Sequence, residues 1–262
     1  MNAAQTLHLA IPQFQSFSIL LVRIAGIISV FPILNTKAIP ATLKAGLVTM
    51  LGLALAPVVQ LPKLPTDAAT VVAGVGNEFL IGLTIGLAVR LLFSGFQIAG
   101  ELIGSQMGFS AVQLLDPTTH QNAPLVSQFQ LTLGSLVFLS LNAHVLVVHA
   151  IGMSYEFVPP FGARLSESIV RDIIQLAQNM LGVALKIAAP VFATLLIVNT
   201  ILSILGRAVT QMNVFVLSFP VTIAAGLIAM GLAMPFTLSL FEQEFITLAD
   251  TILALLRALG HG

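Results

Sequence analysis

Two long stretches of the sequence contain no Asp, Glu, Lys or Arg: one runs from Pro117 to Tyr155, the other from Ala208 to Phe241. Each exceeds the roughly 20 apolar residues that cross a bilayer as a helix. Over all 262 residues only 8% are charged and the mean hydropathy is +1.03, whereas soluble proteins carry about 25% charged residues. The chain is therefore predicted to be an integral membrane protein, which excludes a disordered chain and a soluble enzyme.

The charge balance and the missing cysteine exclude further classes of function. Ten Lys and Arg equal ten Asp and Glu, so no net charge draws the chain to nucleic acid. No cysteine is present, which excludes disulfides, thiolate metal sites and a cysteine nucleophile. No zinc-binding His-Glu-x-x-His pattern and no phosphate-binding loop occurs. We expect no cofactor, no metal and no catalysis; an intramembrane hydrolase using Ser110 is a third hypothesis.

Six apolar windows lie along the chain, and none shows the alternation of a membrane strand. Helices are expected, because a helix satisfies its own backbone groups in lipid. The predicted fold is all-α, with long apolar helices in a single membrane domain over residues 1–262. The Lys and Arg residues of the loops are divided almost evenly between the two sides of the membrane if there are six spans, so they predict no orientation of the chain. The windows are Phe17–Leu34, Ala45–Leu61, Val71–Ala99, Leu125–Ile151, Leu181–Leu205 and Val214–Phe241.

Two amphipathic stretches flank the later windows. The first begins at Ser166, a candidate N-cap with Glu167 in the first turn. The apolar residues of both recur at helical spacing, and packing inside the protein is the favoured interpretation over a position on the bilayer surface. Those residues are Ile169, Ile173, Leu176 and Met180 in the first stretch, and Phe245, Leu248, Ile252, Leu255 and Leu259 in the second.

Polar residues inside the third apolar segment fall on one side of the predicted helix. At about 100° per residue they share an arc of roughly 60–80°. They are Arg90, Ser94, Gln97, Glu101 and Ser105, and we call them the polar stripe. Beside the stripe, Gly100, Gly104 and Gly108 recur every fourth residue, a spacing that lets helices pack closely. The stripe is predicted either to line water or to contact another subunit.

Other charged residues lie in or beside apolar segments, among them Arg23 and Glu78. A charge at the bilayer centre costs at least ~2.5 kcal/mol. Each is therefore predicted to be paired or to reach the membrane surface. After the third segment comes a loop, Gln106–Pro124, rich in Gly and apolar residues. Irregular backbone does not face lipid, so this loop either lies outside the membrane or closes a cavity as a plug.

Three motifs occur in order along the chain, and the first consists of Arg23, Pro32, Pro40 and Lys44. Glu78, Gly82 and Gly86 precede the stretch Ala99–Gly108, and Asp116-Pro117 follows it. A third motif near the end consists of Arg207, Gln211, Asn213, Phe215, Phe219 and Pro220. With these motifs the chain resembles the FliR family, flagellar subunits of type III secretion export gates, from Phe17 to Phe241. Two departures are Thr210 in place of the usual Pro and Ala143 in place of the usual Gly.

The resemblance implies a non-enzymatic gate subunit of the flagellar basal body, in the bacterial inner membrane. Its implied partners are FliP, FliQ and FlhB homologues, and unfolded flagellar proteins in transit. The N-terminal part would be FliP-like and residues 181–262 FliQ-like, with some helices forming hairpins packed on neighbouring subunits. The loop from Gln106 would plug the channel, through the residues Met107, Gly108, Phe109, Val112, Leu114, Leu115, Asp116 and Pro117.

A stand-alone secondary transporter or small-solute channel is the alternative. Transporters of that kind show repeated halves, with interrupted helices in both and polar groups near the midplane. The sequence shows one polar stripe and no repeat. The residues expected to hold subunits together in a gate are Arg90, Gln97, Gly100, Glu101, Gly104 and Ser105.

Overall fold

The computed structural model describes residues 3–35, 39–59, 67–109, 125–163, 167–208 and 214–260. Regular structure in these ranges is α-helical throughout, which confirms the all-α prediction. The helices are α1 (Ala3–Val30), α2 (Ala41–Leu55), α3 (Ala68–Gln106), α4 (Leu125–Ser140), α5 (Ala143–Phe157), α6 (Glu167–Ala208) and α7 (Val214–Gly260).

Three of these helices, α3, α6 and α7, are long and apolar enough to cross a membrane. The α4–α5 pair is bent by 68° and passes the same test if it is counted as one broken span. By contrast, α2 has 15 residues and is about 22 Å long, shorter than the ~30 Å hydrocarbon core. Within the described ranges, the six predicted windows therefore give three candidate spans, or four with the bent pair.

The amphipathic stretches are not separate helices. The first is the beginning of α6 and the second is the end of α7, so both continue directly into apolar spans. Glu167 lies in the first turn of α6 as predicted, while Ser166 lies outside the described residues. The predicted packing is confirmed by the burial of Ile169, Leu176, Met180, Phe245, Leu248, Ile252, Leu255 and Leu259.

A sharp bend interrupts the apolar window Leu125–Ile151 and divides it between α4 and α5. Asn142 has φ 54° and ψ 27°, the left-handed conformation. Asn visits this region more readily than most residues, because its short polar side chain bonds locally. α4 therefore ends before Asn142, and α5 starts afresh at Ala143.

The described residues fall into two compact units. The first takes its residues from Met1–Leu91, Asn142–Leu176 and Ile246–Gly262, and the second from Leu92–Leu141 and Ala177–Phe245. Three continuous helices, α3, α6 and α7, contribute residues to both units. The two units are therefore not successive segments of the chain, and the FliP-like and FliQ-like division stays a prediction.

Close packing of α1 on α3 organises the first unit. A Cβ atom on Gly26 would lie 2.5 Å from the Phe79 carbonyl oxygen, and one on Gly82 would overlap the Arg23 carbonyl oxygen. On Gly86 it would lie 2.5 Å from the Val30 Cγ2 atom. Backbones this close leave no room for a larger residue. Gly82 and Gly86 thus have the packing role that their spacing predicts.

Five phenylalanine rings form the core of the second unit. Their side chains are at most 2% exposed, and neighbouring ring centroids lie 3.8–6.0 Å apart. Most pairs meet edge to face, an arrangement that aromatic rings favour. The cluster joins α3, α4 and α7 through Phe93, Phe96, Phe138, Phe241 and Phe245.

Asp67 caps the N-terminus of α3. The Thr70 amide and hydroxyl both donate to Asp67 Oδ2, at 3.0 and 2.8 Å. These bonds, the hydroxyl bond first, hold the pKa of the Asp67 carboxyl below its ordinary value of 3.8. A lowered pKa means that the cap stabilises the helix above the unfolded-state pKa and is lost as the pH falls.

We expect amide exchange at Thr70 to accelerate as the pH falls below about 3.8, once intrinsic exchange is subtracted. In Asp67→Ala the amide should exchange faster at neutral pH and show no such acid step, because no carboxylate is left to protonate. Hydrogen exchange read by mass spectrometry measures both. An acid step of equal size in Asp67→Ala would exclude the cap as its cause.

Candidate functional site

The polar stripe lies along one surface of α3. Arg90, Gln97 and Ser105 are exposed, and Glu101 is partly buried. The Gln97 Nε2 atom donates to Glu101 Oε1 at 2.8 Å, which links two consecutive turns of the stripe. The helical spacing therefore identified the correct face. An exposed polar row on an apolar span is suited to contact water or another protein.

Glycines of the same helix face the interior. Gly100 and Gly104 are buried, and a Cβ atom on Gly100 would lie 2.7 Å from the Ser127 amide nitrogen. Helix α4 can approach α3 this closely only because position 100 carries no side chain. Gly100 and Gly104, which were predicted to hold subunits together, thus face the interior of their own chain in the second unit.

The predicted plug begins where α3 ends. Gln106 is the last residue of the helix and is exposed, whereas Met107 is 0% exposed. Gly108 has φ +89°, a conformation that glycine adopts without strain. Phe109 is partly buried. The other predicted plug residues, which are Val112, Leu114, Leu115, Asp116 and Pro117, lie outside the described residues.

The third motif is divided between two helices. Arg207 is exposed in the last turn of α6, Phe215 belongs to α7, and Gln211 and Asn213 lie outside the described ranges. Further along α7, Phe219 is partly buried and Pro220 is exposed. Pro220 does not end the helix, which continues to Gly260.

Two of the predicted groups meet at Gly108. A Cβ atom there would lie 3.2 Å from the Phe219 ring, so Gly108, one of the predicted plug residues, packs on the first turns of α7. Met107 belongs to a buried apolar cluster of the second unit, against which Phe109 also packs. The other buried members are Ile103, Val126, Ala188, Val191, Leu195 and Ala229.

A buried ion pair lies in the first unit. Arg23 Nε donates to Glu78 Oε2 at 2.7 Å, and Arg23 Nη2 donates to Glu78 Oε1 at 3.1 Å. Both side chains are 0% exposed. A fork of two parallel bonds is the strong geometry for arginine and a carboxylate. Both residues stood out in the sequence as charges that needed partners, and the structure shows them paired with each other.

Further contacts tie this pair to α5 and the turn that follows it. Arg23 donates to Ser154 Oγ at 2.9 Å and to the Val158 carbonyl oxygen at 3.1 Å. Its guanidinium lies 3.7 Å from the centre of the Tyr155 ring, within cation–π range. The Phe161 amide, in a residue with φ 64°, donates to Glu78 Oε1 at 3.1 Å. One ion pair thus joins α1, α3, α5 and the turn after α5.

Neither arrangement resembles a catalytic centre. In the described part of the chain no three His, Asp or Glu side chains come together as metal ligands. The ion pair is buried, and Met107, directly after α3, belongs to an apolar cluster. The ion pair joins α1, α3 and α5, and the residues directly after α3 pack against α7.

Residues 14–248 match the family described as bacterial export proteins, family 1. The chain belongs to this family. It is 30% identical to the flagellar biosynthetic protein FliR of Escherichia coli (strain K12), over 88% of this chain and 90% of that protein. Identity to the FliR of Bacillus subtilis (strain 168) is also 30%, over 94% and 96% of the two chains.

A third relative is the FliR of Aquifex aeolicus (strain VF5), 30% identical over 85% of this chain and 88% of that one. The match covers nearly all of the described helices, so the FliR resemblance seen in the sequence is confirmed. Together with three to four apolar helices able to span a bilayer, family membership makes the chain a bacterial membrane protein.

Proposed function

We propose that the chain is a subunit of the flagellar protein export gate in the bacterial inner membrane, within the basal body. It would help to form and close the channel through which unfolded flagellar proteins leave, and it would act without catalysis. The observation that carries the proposal is the 30% identity to proteins named for flagellar biosynthesis, over nearly the full length of both chains. The stand-alone transporter is not favoured, because none of these relatives is named as one.

The proposed partners are FliP, FliQ and FlhB homologues. Large apolar side chains on α6 and α7, such as Leu196 and Leu232, are 68% and 80% exposed. Lipid or another protein must cover such surfaces. The stripe residues Gln97, Glu101 and Ser105 are better suited to a protein neighbour, because lipid satisfies no polar group.

Closure is proposed to be steric. Apolar side chains that meet in a narrow pore exclude water and ions. The loop Gln106–His120 would supply them, with Phe109, Val112, Leu114 and Leu115 as the blocking residues. The structure supports a fixed start for this loop, because Met107, Gly108 and Phe109 pack on the core of the second unit.

Crosslinking tests the loop assignment with little background, because the chain has no cysteine. Phe109→Cys, in cells that export a stalled substrate with a single cysteine and are treated with a thiol oxidant, is expected to form a disulfide with that substrate. Phe109 is chosen over Met107 because it is partly exposed. The crosslink should need active export and disappear when the substrate lacks its cysteine.

Val72→Cys is the matched control. Val72 lies near the start of α3, at the opposite end of that helix from Phe109, and is 72% exposed. An equal crosslink at both positions would reveal random collisions, and none at Phe109→Cys in an exporting strain would disprove the loop assignment. Independently, the purified chain should bring FliP-like and FliQ-like proteins with it, whereas a self-sufficient oligomer would contradict the gate role.

A further inference from the structure

Met107 lies in a socket on α7. A Cβ atom on Gly226 would lie 2.6 Å from Met107 Cγ and 3.0 Å from its sulfur, so the side chain fits only because position 226 is glycine. Thr222 is one turn earlier on the same face of α7, and Ala229 belongs to the same cluster as Met107. We call Thr222, Gly226 and Ala229 the Met107 socket.

The hydroxyl of Thr222 is shared between two helices. It lies 2.9 Å from the Ser218 carbonyl oxygen and 3.2 Å from that of Phe219, both in its own helix. It also lies 3.3 Å from the carbonyl oxygen of Met107, at the end of α3. A hydroxyl has one proton to donate. The bond to Met107 therefore competes with bonds inside α7, and it can be given up without leaving the donor unsatisfied.

The chain changes direction directly after this contact. The Met107 amide still donates to the Ile103 carbonyl at 3.0 Å, as in a helix. Gly108 then takes its positive φ of 89°. Met107 is thus the last helix-like residue of α3, and it is held both by its side chain and by its carbonyl.

We propose that the Met107 socket anchors the start of the gate loop, with Met107 as an anchor buried in its own subunit and not a residue that blocks the channel. Thr222 is the positioning residue of this anchor. The inference rests on the proposed gate function of the loop. If Met107 left the socket, the Thr222 hydroxyl would donate its hydrogen bond only to the Ser218 and Phe219 carbonyl oxygens of α7.

Thiol labelling of Phe109→Cys measures the anchor without reference to export. The full chain, in membranes containing its assembled complex, is treated with a maleimide and the labelling rate is recorded. Thr222→Val keeps the shape and removes the donor, so the rate is expected to rise about fivefold, the factor that corresponds to one hydrogen bond. Thr222→Ser restores a donor and should return the rate close to its starting value.

Side-chain anchoring is tested separately. Met107→Ala is expected to raise the rate about tenfold or more, because a large buried contact is lost. Met107→Leu conserves volume and should raise it far less. Thr194→Val is the matched control: its hydroxyl donates to the Pro190 carbonyl of α6 at 2.9 Å, and its loss should leave the rate unchanged.

A second readout, ion leakage through the resting gate, separates the two proposals. Faster labelling with more leakage supports both the anchor and the gate. Faster labelling with unchanged leakage and export supports the anchor and overturns the gate role of the loop. Unchanged labelling in both Thr222→Val and Met107→Ala, with normal amounts of chain, overturns the anchor whatever the leakage shows.

Discussion

Replacing Arg23 alone with methionine is expected to lower the free energy of unfolding by about 3–5 kcal/mol, the cost of leaving one charge of a buried pair without its partner. Glu78 would keep only the Phe161 amide among its described partners. For a chain of this size the melting temperature should fall by roughly 6–20 °C. Thermal unfolding of the purified chain in detergent measures this loss.

Removing both charges is expected to cost less than removing one. Arg23→Met combined with Glu78→Met leaves no buried charge, and apolar replacement of a whole pair is often close to neutral. The double variant should therefore melt above either single variant. Arg171→Met is the control, since the pair of Arg171 with Glu167 is largely exposed, at 74% and 92%. A double variant that loses the sum of both single effects would show that the two charges are not coupled.

The sequence could show that Arg23 and Glu78 need partners, because their cost in an apolar segment depends only on local surroundings. It could not show that they pair with each other. They are 55 positions apart, and Ser154 is a further 76 along the chain from Glu78. Their pairing depends on how closely α1 crosses α3, which is set by the contacts of Gly26, Gly82 and Gly86.

The existence of helices was easier to predict than their continuity. Apolar composition identified every long helix, but Pro190, Pro220 and Pro235 lie inside α6 and α7 without ending them. Neighbouring groups satisfy the backbone that proline leaves open in membrane helices. The helix breaks at Asn142 instead, between α4 and α5, although Asn does not predict a helix end as strongly as Pro does.

At the candidate gate, the sequence did not predict that Met107 is buried in an apolar cluster of its own chain. An apolar residue in a Gly-flanked loop is equally compatible with a channel and with the protein interior. Whether Met107 faces a channel or the protein interior depends on Gly226, which lies 119 positions later and provides the space that Met107 fills. Periodicity identified the polar stripe because a face of one helix is a local property, whereas a socket formed by two helices is not.

Phe96→Ala is expected to destabilise the second unit by about 3–5 kcal/mol, the range for removing a buried aromatic ring. Phe96 is 0% exposed and stacks on Phe241 with ring centroids 3.8 Å apart. Its ring also meets Phe93 and Phe245 edge to face. Chemical unfolding of the purified chain should show the loss. Phe129→Ala is the control: Phe129 is 38% exposed, so its loss should cost below about 1 kcal/mol.

A second substitution distinguishes a true cavity from general damage to α3. A Cβ atom on Gly134 would lie 2.8 Å from Phe96 Cδ2, so Gly134→Ala should overpack the core of the natural chain by about 1–3 kcal/mol. Where Phe96 is already alanine, the added methyl group enters empty space and should cost little or restore stability. The combined effect must then be smaller than the sum of the two. If the two losses of unfolding free energy simply add, the Phe96 ring and Gly134 are not in contact, and the packing of α3 against α4 does not depend on that contact.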